Sequence, residues 1–148
     1  MATENKTKIA RLVFAVYIAT VLTLTFIVRE TMVLRIPDNR GVVLEPLREW
    51  EAMLSHPNHF FWFMQIFLNI LLFVPFGFLL PIVSEHLRKP LLPVLAGFLF
   101  SVGIEIMQYI TGRGLTEADD VINNTIGAIA GYIAFSIASY FYRRCKCR

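Results

Sequence analysis

The chain is poor in the residues on which small soluble domains and most metal or redox sites are built. It has two cysteines in 148 residues, Cys145 and Cys147, both at the C-terminal end. That excludes a disulfide framework, and two thiols are too few for a tetrahedral zinc site. The three histidines, His56, His59 and His86, fall in expected loops, far in sequence from the acids of the later helices. There is no Walker loop, no dinucleotide glycine fingerprint and no nucleophile elbow. Neither an internal repeat nor a low-complexity segment is present. Charge is scarce: 17% of residues, against about 25% in a typical soluble domain. A net charge of +3 is too small to argue for a nucleic-acid partner. What is abundant is apolar and aromatic surface, 56% and 14% of the chain, with a mean hydropathy of +0.59. This excludes disorder, and the length suits one domain spanning 1–148.

The few charges are segregated. Ile9 to Val28 carries only Arg11, Leu91 to Ile110 only Glu105, and Trp62 to Val83 and Val121 to Tyr142 carry none. Each stretch has about 20 residues, and at about 1.5 Å per residue it matches a hydrocarbon core of about 30 Å. Barrel strands would be about 9–11 residues with strict alternation, so four transmembrane helices are expected, an all-α integral membrane bundle. The first apolar run exceeds the usual signal-peptide core and lacks a small-x-small site after it, so it reads as an uncleaved anchor.

Orientation follows from basic residues. Lys6, Lys8, Arg11, Arg88, Lys89, Arg143, Arg144, Lys146 and Arg148 share one side of the membrane. Arg29, Arg35, Arg40, Arg48 and Arg113 share the other, most of them spread over a long loop. Both termini are therefore expected to be cytoplasmic, with the first and third loops outside. The basic tail suits a positive-inside anchor against anionic lipid. Within the first loop, Pro46 suits a helix start. Leu47, Trp50 and Leu54 then make an apolar face, with Arg48, Glu49 and Glu51 mostly on another. A short interfacial helix is expected there, lying on the outer leaflet or capping the bundle.

Polar residues inside these spans are costly and therefore informative. Gln65 and Asn69 share a face of the second span, where Pro75 should free the carbonyl of Leu71. Gly97, Ser101, Glu105 and Gln108 line one face of the third. In the fourth, Asp120, Asn124, Gly127, Gly131, Ala134 and Ala138 form a seam, with Asp119 and Asn123 beside it. The Gly127–Gly131 pair suits tight helix contacts, within the chain or in a homo-oligomer. With alternating helix directions, Asn69, Glu105, Gln108, Asn124 and the rim residues Arg113, Asp119 and Asp120 gather in the outer half of the bilayer. A structural plug or an outward-facing pocket would each account for that convergence. Glu105, Asp119 and Asp120 could also attract a hard cation. They lack any established ligand spacing, so neither a metal nor a cofactor is expected.

Three stretches carry a resemblance. They are NILLFVPFGFLLP from Asn69, SVGIEIMQY from Ser101, and GRGLTEADDVINNTIGAIAGY from Gly112 to Tyr132. From Gln65 to Tyr132 the chain resembles the VanZ-like family of bacterial membrane proteins. The family's recurrent positions correspond here to Asn69, Pro75, Gly77, Glu105, Gln108, Arg113, Asp119, Asp120, Asn124, Thr125 and Gly127. Glu117, preceded by Thr116, stands for an acid that many members carry slightly earlier. The first span and first loop bear no family signature. The resemblance implies a cytoplasmic-membrane protein of the bacterial envelope linked to teicoplanin resistance, and it does not name a reaction.

Two functional expectations follow. In the first, the outward pocket binds a membrane lipid or lipid-linked cell-wall precursor through Asn69, Ser101, Gln108, Arg113 and Asn124. In the second, the chain is an intramembrane enzyme acting on such a substrate, with Glu105 and Asp119 or Asp120 as acid and base. A proton or ion pathway is disfavoured, because the inner half of the bundle looks dry.

Overall fold

The computed structural model describes residues 2–28, 41–112 and 115–146. Arg29, Arg35, Arg40, Arg113, Cys147 and Arg148 lie outside the described residues. The described chain folds into five helices: α1 (Ala2–Thr23), α2 (Arg48–Ser55), α3 (His59–Val83), α4 (Leu91–Thr111) and α5 (Ala118–Lys146). A π-helical turn, Leu24–Val28, continues α1, and a 3-10 turn, Glu85–Arg88, links α3 to α4. Four helical segments are long and apolar enough to cross a membrane: Thr7–Ile27, His59–Val83, Leu91–Thr111 and Ala118–Cys145. They coincide with the four expected spans. Their exposed faces carry large apolar side chains such as Leu12, Leu99, Ile110, Ile133 and Phe141, as lipid-facing surfaces should.

Local chemistry explains the helix ends. The Asn58 side chain accepts from the Phe61 amide at the start of α3. The turn after α4 closes on Gly112 in the left-handed region, φ 64°, whose amide reaches back to the carbonyls of Gln108 and Tyr109. Glycine adopts that conformation without the Cβ penalty. One feature was not expected: Val42–Val43 (β1) pairs in parallel with Thr116–Glu117 (β2), joining the two loops at one end of the bundle.

The closest helix pair is α3 and α5, and glycine makes it possible. A Cβ on Gly127 would lie 2.2 Å from the Ile70 carbonyl oxygen, and one on Gly131 would lie 2.0 Å from that of Val74. A Cβ on Gly77 would meet the Ala128 carbonyl oxygen at 2.0 Å. The glycines of the expected seam thus make a contact within the chain, while Ala134 and Ala138 further along it are exposed. α4 joins the pair where Gly97 faces the Ala128 methyl. Beside this seam Phe73, Phe76, Leu80 and Ile104 form the core with Val21 of α1. Phe76 stacks on Phe100 at 5.4 Å and packs against Phe14 at 5.6 Å. Pro75 lies inside α3, which continues through it. The Tyr17 hydroxyl donates to the Leu72 carbonyl at 2.7 Å, tying α1 to this stretch. The bond lands one residue from the carbonyl expected to be freed.

The seam gives a paired prediction. Gly131→Val forces α3 and α5 apart and should lower stability by about 1–3 kcal/mol, as overpacking does. Gly103→Ala, where a Cβ meets nothing within 4 Å, should be neutral or slightly stabilising through helix propensity. Unfolding in mixed detergent–SDS micelles would measure both.

Candidate functional site

The first turn of α5 carries two adjacent carboxylates, and they reach different elements. Asp119 turns toward α2. Its Oδ1 accepts from the Leu47 amide and its Oδ2 from the Glu49 amide, the latter at 2.6 Å. These are donors that the start of a helix leaves unsatisfied, and no side chain of α2 itself caps that end. Asp120 turns toward α3, where its Oδ1 accepts from the Asn69 amide. Both aspartates sit at a helix N-terminus, where the positive end of the helix dipole favours negative charge.

Glu49 extends this group. It is the buried residue of α2, 2% exposed. Its Oε1 accepts from Gln65 at 3.1 Å and its Oε2 from the Asn123 amide at 3.0 Å. Asn123 can only be oriented this way, because its Oδ1 takes the indole N–H of Trp50 at 3.0 Å, and an indole N–H is a donor only. From α4, Glu105 accepts the Glu117 amide at 2.9 Å, and its backbone carbonyl takes the Thr116 hydroxyl. One turn below, Ser101 accepts from Asn124 at 2.8 Å.

The structure therefore brings together most of the residues expected from the sequence. Asn69, Ser101, Glu105, Asp119, Asp120 and Asn124 all face the junction of α3, α4 and α5 at the α2 end. Gln108 is fully buried there, and among the described residues neither of its amide atoms has a hydrogen-bond partner; nor, among them, does the Oδ1 of Asn124. Arg113 lies outside the described residues.

The loop helix is seated on the bundle by its acid. Leu47 and Leu54 are 50% and 77% exposed, while Glu49 points inward. Leu47 precedes α2 in the left-handed region, φ 65°, a strained conformation costing about 1–2 kcal/mol for a residue with a Cβ. The Asp119 carboxylate, which accepts from the start of the helix, and the Gln65 and Asn123 amides, which donate to Glu49, turn the helix so that its acid enters the bundle. Glu49, Trp50, Gln65, Glu117 and Asn123 are thus site residues beyond the expected set. Gln65 could have been included from its spacing to Asn69, and Asn123 from its place beside the seam. Glu49 had no local signal, because its partners lie 16 and 74 residues away.

Oxygens of Glu49, Glu117 and Asp120 all lie within 4.8 Å of one another. A hard cation could take oxygens at this spacing, though from a different trio than Glu105, Asp119 and Asp120. A shallow depression of about 210 Å³ opens toward Glu49, Glu117 and Asp119, and is walled by Val43, Arg48 and Trp62.

Burial, with Asp120, Glu117 and Asp119 nearby, raises the Glu49 carboxyl from its ordinary 4.5 to about 7, against a smaller opposing effect of the Gln65 hydrogen bond.

The profile of the VanZ/LLP1 family matches residues 13–139. Protein VanZ of Enterococcus faecium is 33% identical over 78 residues, 52% of this chain and 47% of that protein. The chain therefore spans about half the length of this curated relative. No solved structure matches.

The raised Glu49 carboxyl sets a pH dependence. Between pH 4.5 and about 7 the folded chain holds a proton that the unfolded chain has released. Stability should therefore fall as pH rises through that window and stay lowered above it. At about 1.4 kcal/mol per unit, the shift from 4.5 to about 7 sets an upper bound of about 3.5 kcal/mol. Glu49→Gln should flatten this slope in unfolding titrations between pH 5 and 8.

Proposed function

The chain belongs to the VanZ/LLP1 family, and we propose that it is an envelope protein of the bacterial cytoplasmic membrane that binds the polar headgroup of a lipid or lipid-linked cell-wall precursor at the cluster beneath α2. In this reading both termini are cytoplasmic, and the α2 end of the bundle faces outward, where such precursors are found. The observation that carries the proposal is the concentration of buried carboxylates and amides at one end of an otherwise apolar bundle, with the amide of Gln108 unsatisfied by any of the described residues. An unsatisfied buried amide is costly, so a network serving only to fix helix register would be expected to use it. Carboxylates accept from the hydroxyls or ammonium of a headgroup, and Arg113 is the proposed contact for its phosphate. Sequestering a precursor is one way such a protein would bear on teicoplanin, the drug implied by the family resemblance.

A second reading, an intramembrane enzyme acting on the same lipids, is favoured by one observation. A carboxyl raised to about 7 beside other acids is the arrangement that separates acid from base roles. Glu49 would then serve as the acid, with Glu105 or Asp120 as its base. Asp119, which holds α2, would support it.

Thermal unfolding of the purified protein in micelles tests the binding reading. A saturating lipid-linked precursor or anionic phospholipid should raise Tm by about 5 °C or more, and Asp120→Asn or Arg113→Ala should abolish the rise. No shift with any lipid in the panel would overturn it. Consumption of the lipid, lost in Glu105→Gln while the fold survives, would favour the enzyme.

A further inference from the structure

The cluster is closed as it stands. Asn123 and Gln108 are fully buried, Asp120 is 1% exposed and Glu117 8%. The depression beside α2 touches Glu49, Glu117 and Asp119, but not Asp120, Asn123 or Gln108. The space in it that could hold a ligand is only about 10 Å³, far short of the about 300–1,000 Å³ of ordinary ligand pockets. A headgroup could reach the inner residues only if a covering element moved.

α2 has the properties of such an element. It is eight residues long, against 21 or more for each of the other helices. Its buried residue is an acid, and it adds nothing to the apolar core. Its hold on the spans includes hydrogen bonds from Leu47 and Glu49 to Asp119, from Trp50 to Asn123, and to Glu49 from Gln65 and Asn123. The residue that leads into it, Leu47, is the one non-glycine residue with positive φ among those described. Hydrogen bonds of this kind can be exchanged for bonds to water when the helix lifts, whereas a buried apolar face cannot. The backbone strain at Leu47 favours lifting.

We propose that α2 is a lid over the carboxylate–amide cluster, latched by the Asp119 carboxylate on its first turn and biased toward opening by the left-handed Leu47. This rests on the binding reading for its purpose, but not for its test.

Trp50 reports on the latch. The chain has two tryptophans, so Trp62→Phe leaves Trp50 as the single emitter. Acrylamide is the suitable quencher, because it is neutral and the carboxylates do not repel it. In uncharged detergent micelles, Asp119→Ala in this background should raise the Trp50 quenching constant about threefold, with the four spans as helical as in the parent. Leu47→Gly, which accepts the left-handed turn without strain, should lower the constant to about half of the parent's. That fall would mean that the parent itself opens measurably.

Equal quenching in all three proteins would overturn the lid. So would an Asp119→Ala protein whose spans unfold together with α2, because α2 would then be part of the bundle. If Asp119→Ala cannot be purified, Leu47→Gly decides alone, and an unchanged constant overturns the proposal. The two readings fail separately. A responsive Trp50 with no lipid-induced rise in Tm leaves the lid and removes the binding. A lipid-induced rise with an unresponsive Trp50 leaves the binding and removes the lid.

Discussion

A carboxylate taken out of water must be given hydrogen-bond donors, and the first turn of α5 carries two such groups side by side. Much of the upper structure can be traced from that requirement. Asp119 draws its donors from the backbone at the start of α2, and so places a loop helix on top of the bundle. Asp120 draws a donor from Asn69, and so sets the rotation of α3 against α5. Once α2 is held, Glu49 is carried inward and needs donors of its own, which Gln65 and Asn123 supply. The chain thus meets a local cost with contacts between residues 16 to 74 positions apart.

The lower part of the bundle is built on the opposite principle. Polar bonds are few there, and proximity is achieved by leaving side chains out. Gly77, Gly127 and Gly131 let the backbones of α3 and α5 meet, and the phenylalanines around Phe76 fill the space beside them. In lipid there is little hydrophobic drive between helices, so close van der Waals contact has to hold them. A rigid lower half and a hydrogen-bonded upper half are a reasonable division for a protein that receives a headgroup at one end. The first supplies a fixed frame, and the second supplies groups able to change partners.

Membership of the VanZ/LLP1 family and the geometry bear on different questions. The match covers the frame and the polar positions of the cluster alike. It does not say what they contact. The geometry assigns Asp119 to α2 and Asp120 to α3, a distinction invisible in the Asp-Asp pair as a motif. It also brings in Glu49 from the first loop, where the sequence showed no family motif although the family match, from residue 13 to 139, covers it.

The sequence by itself determined the four spans and the all-α class, because hydrocarbon admits only long uninterrupted apolar helices and the charges lie between them. It determined that Asn69, Glu105, Gln108, Asp120 and Asn124 gather at one end, because helix rise and alternating direction convert position into depth. It determined the existence of a loop helix, lying on the membrane or capping the bundle, but not which side chain enters the bundle: the interior at that point is polar and takes Glu49. Only the tertiary structure decided that Glu49 enters the cluster, that the glycine seam is used within the chain, and that β1 and β2 join the two loops. The reason is common to all three. Each depends on partners far apart in sequence, and local pattern carries no information about which of several satisfied arrangements a buried polar group will adopt.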